Sequence, residues 1–163
     1  RKYLVNSVRV WSGDDTKTVV DNDESNEKSN VDEDEAIADI EQRLDIKMPV
    51  FYYRPYGMKF LNYTIKGLSS LARVEYQYKN QKILLMIDKE GVKTASKINS
   101  LEGDEDDSVV VNNDGRQIEI KKIYDSTGDF SYSAEWYEDE TVYLLSGKLE
   151  LKEIKKILEN MKF

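Results

Sequence analysis

Hydrophobic positions recur along this chain at two periods, and the change from one to the other separates its strands from its helices. Phe130, Tyr132, Ala134 and Trp136 alternate with Ser131, Ser133, Glu135 and Tyr137, the period of two expected of a half-buried antiparallel strand. A further strand is predicted over 141–146. In 150–161, Leu151, Ile154, Ile157, Leu158 and Met161 fall on one stripe with lysines on the other face, which predicts a closing amphipathic helix. A second helix is predicted over 34–45. It places Ile37, Ile40 and Leu44 on one face and acids in its first turn, where they favour the dipole, with Pro49 as its stop.

Between the helices the pattern predicts strands over 58–66, 71–79, 82–88, 108–111 and 117–124. Val74, Tyr76 and Tyr78 share one face, and Asn80-Gln81 is a break short enough for a tight hairpin. The run Ile83 to Ile87 is continuously apolar, which places that strand centrally, covered on both faces. Asn112-Asn113-Asp114-Gly115 is the strongest hairpin signal, because a type I′ turn needs residues that tolerate positive φ. Residues 1–11 suit a helix or a strand; the reading adopted is a helix followed by a short strand over 16–20. Residues 21–34 are almost free of apolar side chains, which predicts a mobile acidic loop, and 102–107 form a second acidic stretch. Successive hairpins without βαβ alternation predict one α+β domain over 1–163. Its expected form is a curved antiparallel sheet of about six to eight strands with two or three helices packed on one face.

Composition narrows function mainly by exclusion. The sequence holds no His and no Cys, which removes Ser-His-Asp and Cys-His constellations, zinc sites of the usual nitrogen and sulfur type, and a histidine general base. A net charge of −8 disfavours nucleic acid and, on the same ground, anionic membrane surfaces. No apolar run approaches the length needed to span a bilayer, and no phosphate-cradling glycine loop is present. No cofactor is expected. A carboxylate pair of the glycosidase kind is the weakest of three functional readings, since charge runs are usually solvated faces.

Two groups remain as candidate sites. Tyr52, Tyr53 and Tyr56, with Phe51, form an aromatic surface suited to stacking on a sugar or peptide, and Trp136 is a further candidate contact. The competing reading packs these rings into the lead-in to the sheet and into the core. Asp21, Asp23, Ser25, Glu27, Ser29 and Asp32 fall at the alternating oxygen positions of an EF-hand-like loop ahead of a helix. Against calcium, Asn26 replaces the turn glycine, Lys28 stands where an apolar anchor belongs, and Asp32 is shorter than the bidentate Glu.

Arg54-Pro55-Tyr56-Gly57-Met58-Lys59 after a helix, the hairpins, Trp136, and Val142-Tyr143-Leu144-Leu145-Ser146-Gly147-Lys148-Leu149 before a Lys/Glu/Ile helix together resemble a bacterial family labelled domain of unknown function 4367. The resemblance covers roughly residues 45–163. Arg54 stands before Pro55 where members more usually carry an apolar residue. The resemblance implies a domain outside the membrane of a Gram-positive bacterium, tethered by an upstream helix in an anti-sigma-like or sensor protein, with no catalytic residues. The first reading is therefore a non-catalytic extracytoplasmic sensor or interaction domain, membrane-tethered or secreted. Its partner would be an unknown protein or small ligand, and membrane contact would come only through an upstream anchor. The alternative is carriage of an apolar ligand between sheet and helices.

Overall fold

The computed structural model describes residues 32–91 and 108–163. The readings for 1–20, for the acidic stretch 21–31 and for 102–107 lie outside the described residues. Among these residues the elements run α1 (Glu33–Leu44), β1 (Val50–Phe51), β2 (Lys59–Lys66), β3 (Leu71–Tyr78), β4 (Gln81–Asp88), β5 (Ser108–Asn113), β6 (Arg116–Tyr124), β7 (Phe130–Glu138), β8 (Thr141–Gly147), α2 (Leu151–Glu159) and β9 (Met161–Lys162). Seven strands form one sheet in the order β2-β3-β4-β8-β7-β6-β5, and β1 pairs with β9 in a two-stranded ladder. Every pairing is antiparallel, so the α+β reading holds.

Helix α1 begins one residue earlier than its acids suggest, because the Asp32 carboxylate accepts a hydrogen bond from the Glu35 N–H at 2.9 Å, an N-cap that satisfies a donor the first turn leaves open. It also stops before Pro49 has any say: Asp45 adopts a left-handed conformation, φ 55°, and its N–H returns to the Glu41 carbonyl. The closing helix ends at Glu159 rather than at Met161. Phe51 pairs with Met161 and Val50 with Lys162, so the β1–β9 ladder captures the last residues as a strand. The first hairpin turn sits one residue away from the reading made on composition, with positive φ at Lys79 and Asn80. The second falls within the predicted Asn112 to Gly115, with positive φ at Asp114 and Gly115, which leaves Asn113 as the last residue of β5.

The core lies between one face of the sheet and the two helices. Ile83, Leu85 and Ile87 of β4, Tyr143 and Leu145 of β8, and Ala134 and Trp136 of β7 face Ile40 and Leu44 of α1 and Ile154, Ile157 and Leu158 of α2 within one continuous cluster. Each large side chain removed from water there contributes on the order of 2 kcal/mol. The apolar run of β4 is explained in part by a second, smaller cluster on the opposite face, formed by Met86 and Leu144 with Leu71 and Leu84 against them. The middle strand, however, is β8, where Thr141 to Ser146 are all buried.

That strand also explains the glycine of its Tyr-Leu-Leu-Ser-Gly run. Gly147 faces Ile83 across the β4–β8 pairing. A Cβ there would stand 2.4 Å from Ile83 Cδ1, 3.1 Å from Ile83 Cα and 3.2 Å from the Lys82 carbonyl oxygen. Ile83 is fully buried, so the methyl has no room without moving backbone. Gly147→Ala is expected to lower stability by about 1–3 kcal/mol, read as a lower urea midpoint, and Ile83→Val in the same chain should recover part of the loss. An unchanged midpoint would refute this close approach.

Candidate functional site

The lead-in segment brings two of the predicted tyrosines to α2. In β1, Phe51 points inward while Val50 and Tyr52 point out, 46% and 69% exposed, and the Tyr52 N–H donates to the Asn160 carbonyl at 3.2 Å. Lys162 Nζ lies 5.9 Å from the Tyr52 ring centre and Lys156 Nζ 4.8 Å from that of Tyr53. The Tyr53 hydroxyl donates to Glu153 Oε1 at 2.5 Å, and that hydrogen bond raises its pKa. Tyr56 is fully exposed beside Gly57, whose φ of 89° makes the turn into β2. Trp136 is not part of this group. It is buried at 2% exposure and stacks on Tyr143 with ring centres 5.6 Å apart and planes 7° from parallel.

A second feature opens where α1 ends. A cleft of about 770 Å³ is lined by Asp45, Ile46 and Lys47 after α1, Lys89 after β4, Glu138 to Thr141 around the β7–β8 turn, and the rings of Tyr143 and Phe163. Its floor is a set of contacting rings. Phe163 meets Tyr143 edge to face at 5.3 Å, Tyr143 stacks on Trp136, and the Arg116 guanidinium sits 4.6 Å from the Phe163 ring centre while Nε donates to Glu138 Oε1 at 2.6 Å. The Tyr143 hydroxyl donates to the Lys47 carbonyl at 2.6 Å, and burial pushes its pKa up. One wall of the cleft is thereby hydrogen-bonded to the chain leaving α1.

The rest of α1 is also held to the sheet by polar contacts. Glu33 accepts from Arg54 Nη1 at 2.7 Å and from the Tyr76 hydroxyl at 2.8 Å. Arg54 lies 5.0 Å from the Tyr76 ring centre and 6.0 Å from that of Phe51, the environment of a cation between aromatic faces. Burial, with the Glu33 charge second, raises the Tyr76 pKa. Asp39 accepts from the Tyr63 hydroxyl at 2.6 Å, and Glu41 accepts from the Met48 N–H at 2.9 Å. Glu33 and Asp39, which look like a solvated helix face in the sequence, thus fasten α1 to the sheet, and Glu41 ties it to the segment that follows. The only sequence signal for this was Arg54 at a position more usually apolar.

Of the candidate calcium ligands, Asp21, Asp23, Ser25, Glu27 and Ser29 lie outside the described residues, and Asp32 is engaged as the cap of α1. Among the described residues, no three His, Cys, Asp or Glu side chains are grouped to hold a metal, and no helix is long and apolar enough to cross a membrane.

Among protein families, the one described as a domain of unknown function, DUF4367, matches residues 48–161. The matched stretch begins after α1, so the helix lies upstream of it while Arg54, Tyr63 and Tyr76, which hold the helix, lie within it. No curated protein and no solved structure matches the chain.

Proposed function

Since the chain belongs to the DUF4367 family, whose match takes in the whole sheet and α2, we propose that it is a non-catalytic extracytoplasmic sensor or interaction domain. In this reading it is membrane-tethered or secreted by a Gram-positive cell, and it binds a protein or small ligand in the cleft at the end of α1. The observation that carries the reading is the hydrogen bond from Tyr143 to the Lys47 carbonyl. It makes one aromatic ring both the floor of the cleft and an anchor of the segment leaving α1. An occupant that moves Tyr143 or the β7–β8 turn changes how the segment leaving α1 is held, and α1 is the first described element of the chain. The polar contacts that fix where this helix sits are each worth about 1 kcal/mol, somewhat more when charged. Yet Ala36, Ile40 and Leu44 are fully buried and keep it seated at rest.

The carrier alternative requires an opening between a curved sheet and its helices. The continuous cluster of side chains in that space favours the cleft instead.

Location can be tested directly because the sequence contains no cysteine. Leu68 is fully exposed in the β2–β3 turn. In the parent protein in its own cells, Leu68→Cys should react with a membrane-impermeant maleimide before lysis. Labelling only after lysis would overturn an extracytoplasmic placement.

A further inference from the structure

Net charge conceals how the charges are distributed. Taken whole, 32 acids against 24 basic residues argue against any anionic surface, but around α2 the balance reverses. Lys152, Lys156 and Lys162 are exposed. Two neighbouring acids are turned to partners: Glu150 accepts from Tyr78 at 3.2 Å and Lys79 at 3.1 Å, and Glu153 accepts from Tyr53. Glu159 remains exposed among the lysines. The Val50–Lys162 pairing places exposed Val50 and Tyr52 beside this charge, and a shallow groove along the helix is lined by Leu151, by Lys152, Lys155 and Lys156, and by Glu153 and Glu159.

We infer that this lysine and tyrosine face docks on an anionic phospholipid surface. The inference rests on the membrane-tethered reading above and adds an orientation to it. Lysines supply attraction to headgroup phosphates, while tyrosines with an apolar body and a polar tip suit the level of the headgroups. The groove is walled only by residues of α2 itself, so the face is shallow and accommodates a plane better than an inserted peptide. Local placement outweighs the overall negative charge because screening confines each charge to about 8 Å at physiological salt.

The test uses the full 163-residue chain and co-sedimentation with vesicles of equimolar phosphatidylglycerol and phosphatidylcholine. Binding is expected at low salt, weakening as salt rises, with none to phosphatidylcholine alone. Lys152→Gln, Lys156→Gln and Lys162→Gln combined should lower partitioning by about a hundred-fold, at roughly five-fold for each lysine. Lys59→Glu with Gln42→Glu makes the same change in net charge at exposed positions on β2 and α1 and should stay within about three-fold of wild type. Thermal unfolding of each variant checks that the fold is kept. No vesicle binding at low salt, equal losses in the two variants, displacement by millimolar inorganic phosphate, or binding to polyglutamate in place of vesicles would each overturn the inference. The maleimide experiment separates the two proposals: labelled cells without vesicle binding remove only the docking face, and vesicle binding with unlabelled cells removes the extracytoplasmic reading.

Discussion

Asn113→Ala is expected to lower the stability of the full chain by about 3 kcal/mol. The Asn113 side chain is buried at 5% exposure and its amide nitrogen donates to the carbonyls of Leu158 at 2.6 Å and Met161 at 2.8 Å. Arg116 Nη1 donates to the same side chain's Oδ1 at 3.2 Å, so every polar atom of the amide is occupied. The last turn of a helix leaves carbonyls without helical partners, and here a side chain from the β5–β6 hairpin reaches the Leu158 carbonyl of α2 and the Met161 carbonyl of β9. Truncation removes both buried hydrogen bonds and the acceptor of Arg116, each loss costing about 1 kcal/mol or more. A lower urea midpoint at unchanged slope would be the signature. Asn113→Asp sharpens the test. Its carboxylate would face two carbonyl oxygens, and lowering the pH should restore part of the loss by returning one donor. A midpoint within about 0.5 kcal/mol of wild type for both variants would show that the hairpin does not hold the end of α2.

Glu135→Gln should stabilise the protein at pH 8 and do little near pH 4.5. Glu135 stands on the sheet face opposite the helices, between Leu144 on β8 and Glu119 on β6. Burial pushes its carboxyl up to about 7, against a modest lowering by the Tyr137 hydroxyl at 3.0 Å. A carboxyl that titrates higher when folded holds its proton more tightly in the native state. Its contribution is therefore fully present below the ordinary value of 4.5 and is lost as pH rises through 7. At about 1.4 kcal/mol per pH unit, ionisation withdraws up to about 3 kcal/mol. Urea midpoints of wild type and Glu135→Gln, measured from pH 4.5 to 8, should diverge upward across that window. Asp88, also raised by burial, titrates in both proteins and cancels in the difference. Parallel profiles would sink the prediction.

The strand pattern was legible because burial on one face imposes a period of two, and Phe130 to Tyr137 and Met58 to Lys66 came within a residue of β7 and β2. The limits 34–45 came within a residue of α1, and a boundary failed where the β1–β9 ladder took Met161 from the closing helix. Of the candidate residues, Tyr53 bonds Glu153 of α2 and Tyr52 lies near Lys162 of β9, while Trp136 is buried in the core. Alternation tells which face a residue takes but not whether a second ring will cover it. The lysines of α2 were visible as the polar side of a helix, but their nearness to those tyrosines depends on the β1–β9 ladder, which joins residues more than a hundred positions apart.

What the sequence determined by itself is what local periodicity, turn chemistry and missing residue types can determine. It specified antiparallel hairpins, two amphipathic helices, the family, and the absence of histidine and cysteine chemistry. Tertiary structure alone decided that Glu33 and Asp39 of α1 bind the sheet, that Asn113 serves the end of a helix rather than a turn, that Tyr143 floors a cleft, and that Glu135 is half-buried. Each of these depends on groups distant in sequence meeting in a low-dielectric interior, where an unpaired polar atom is costly. No local pattern encodes which partner will be there.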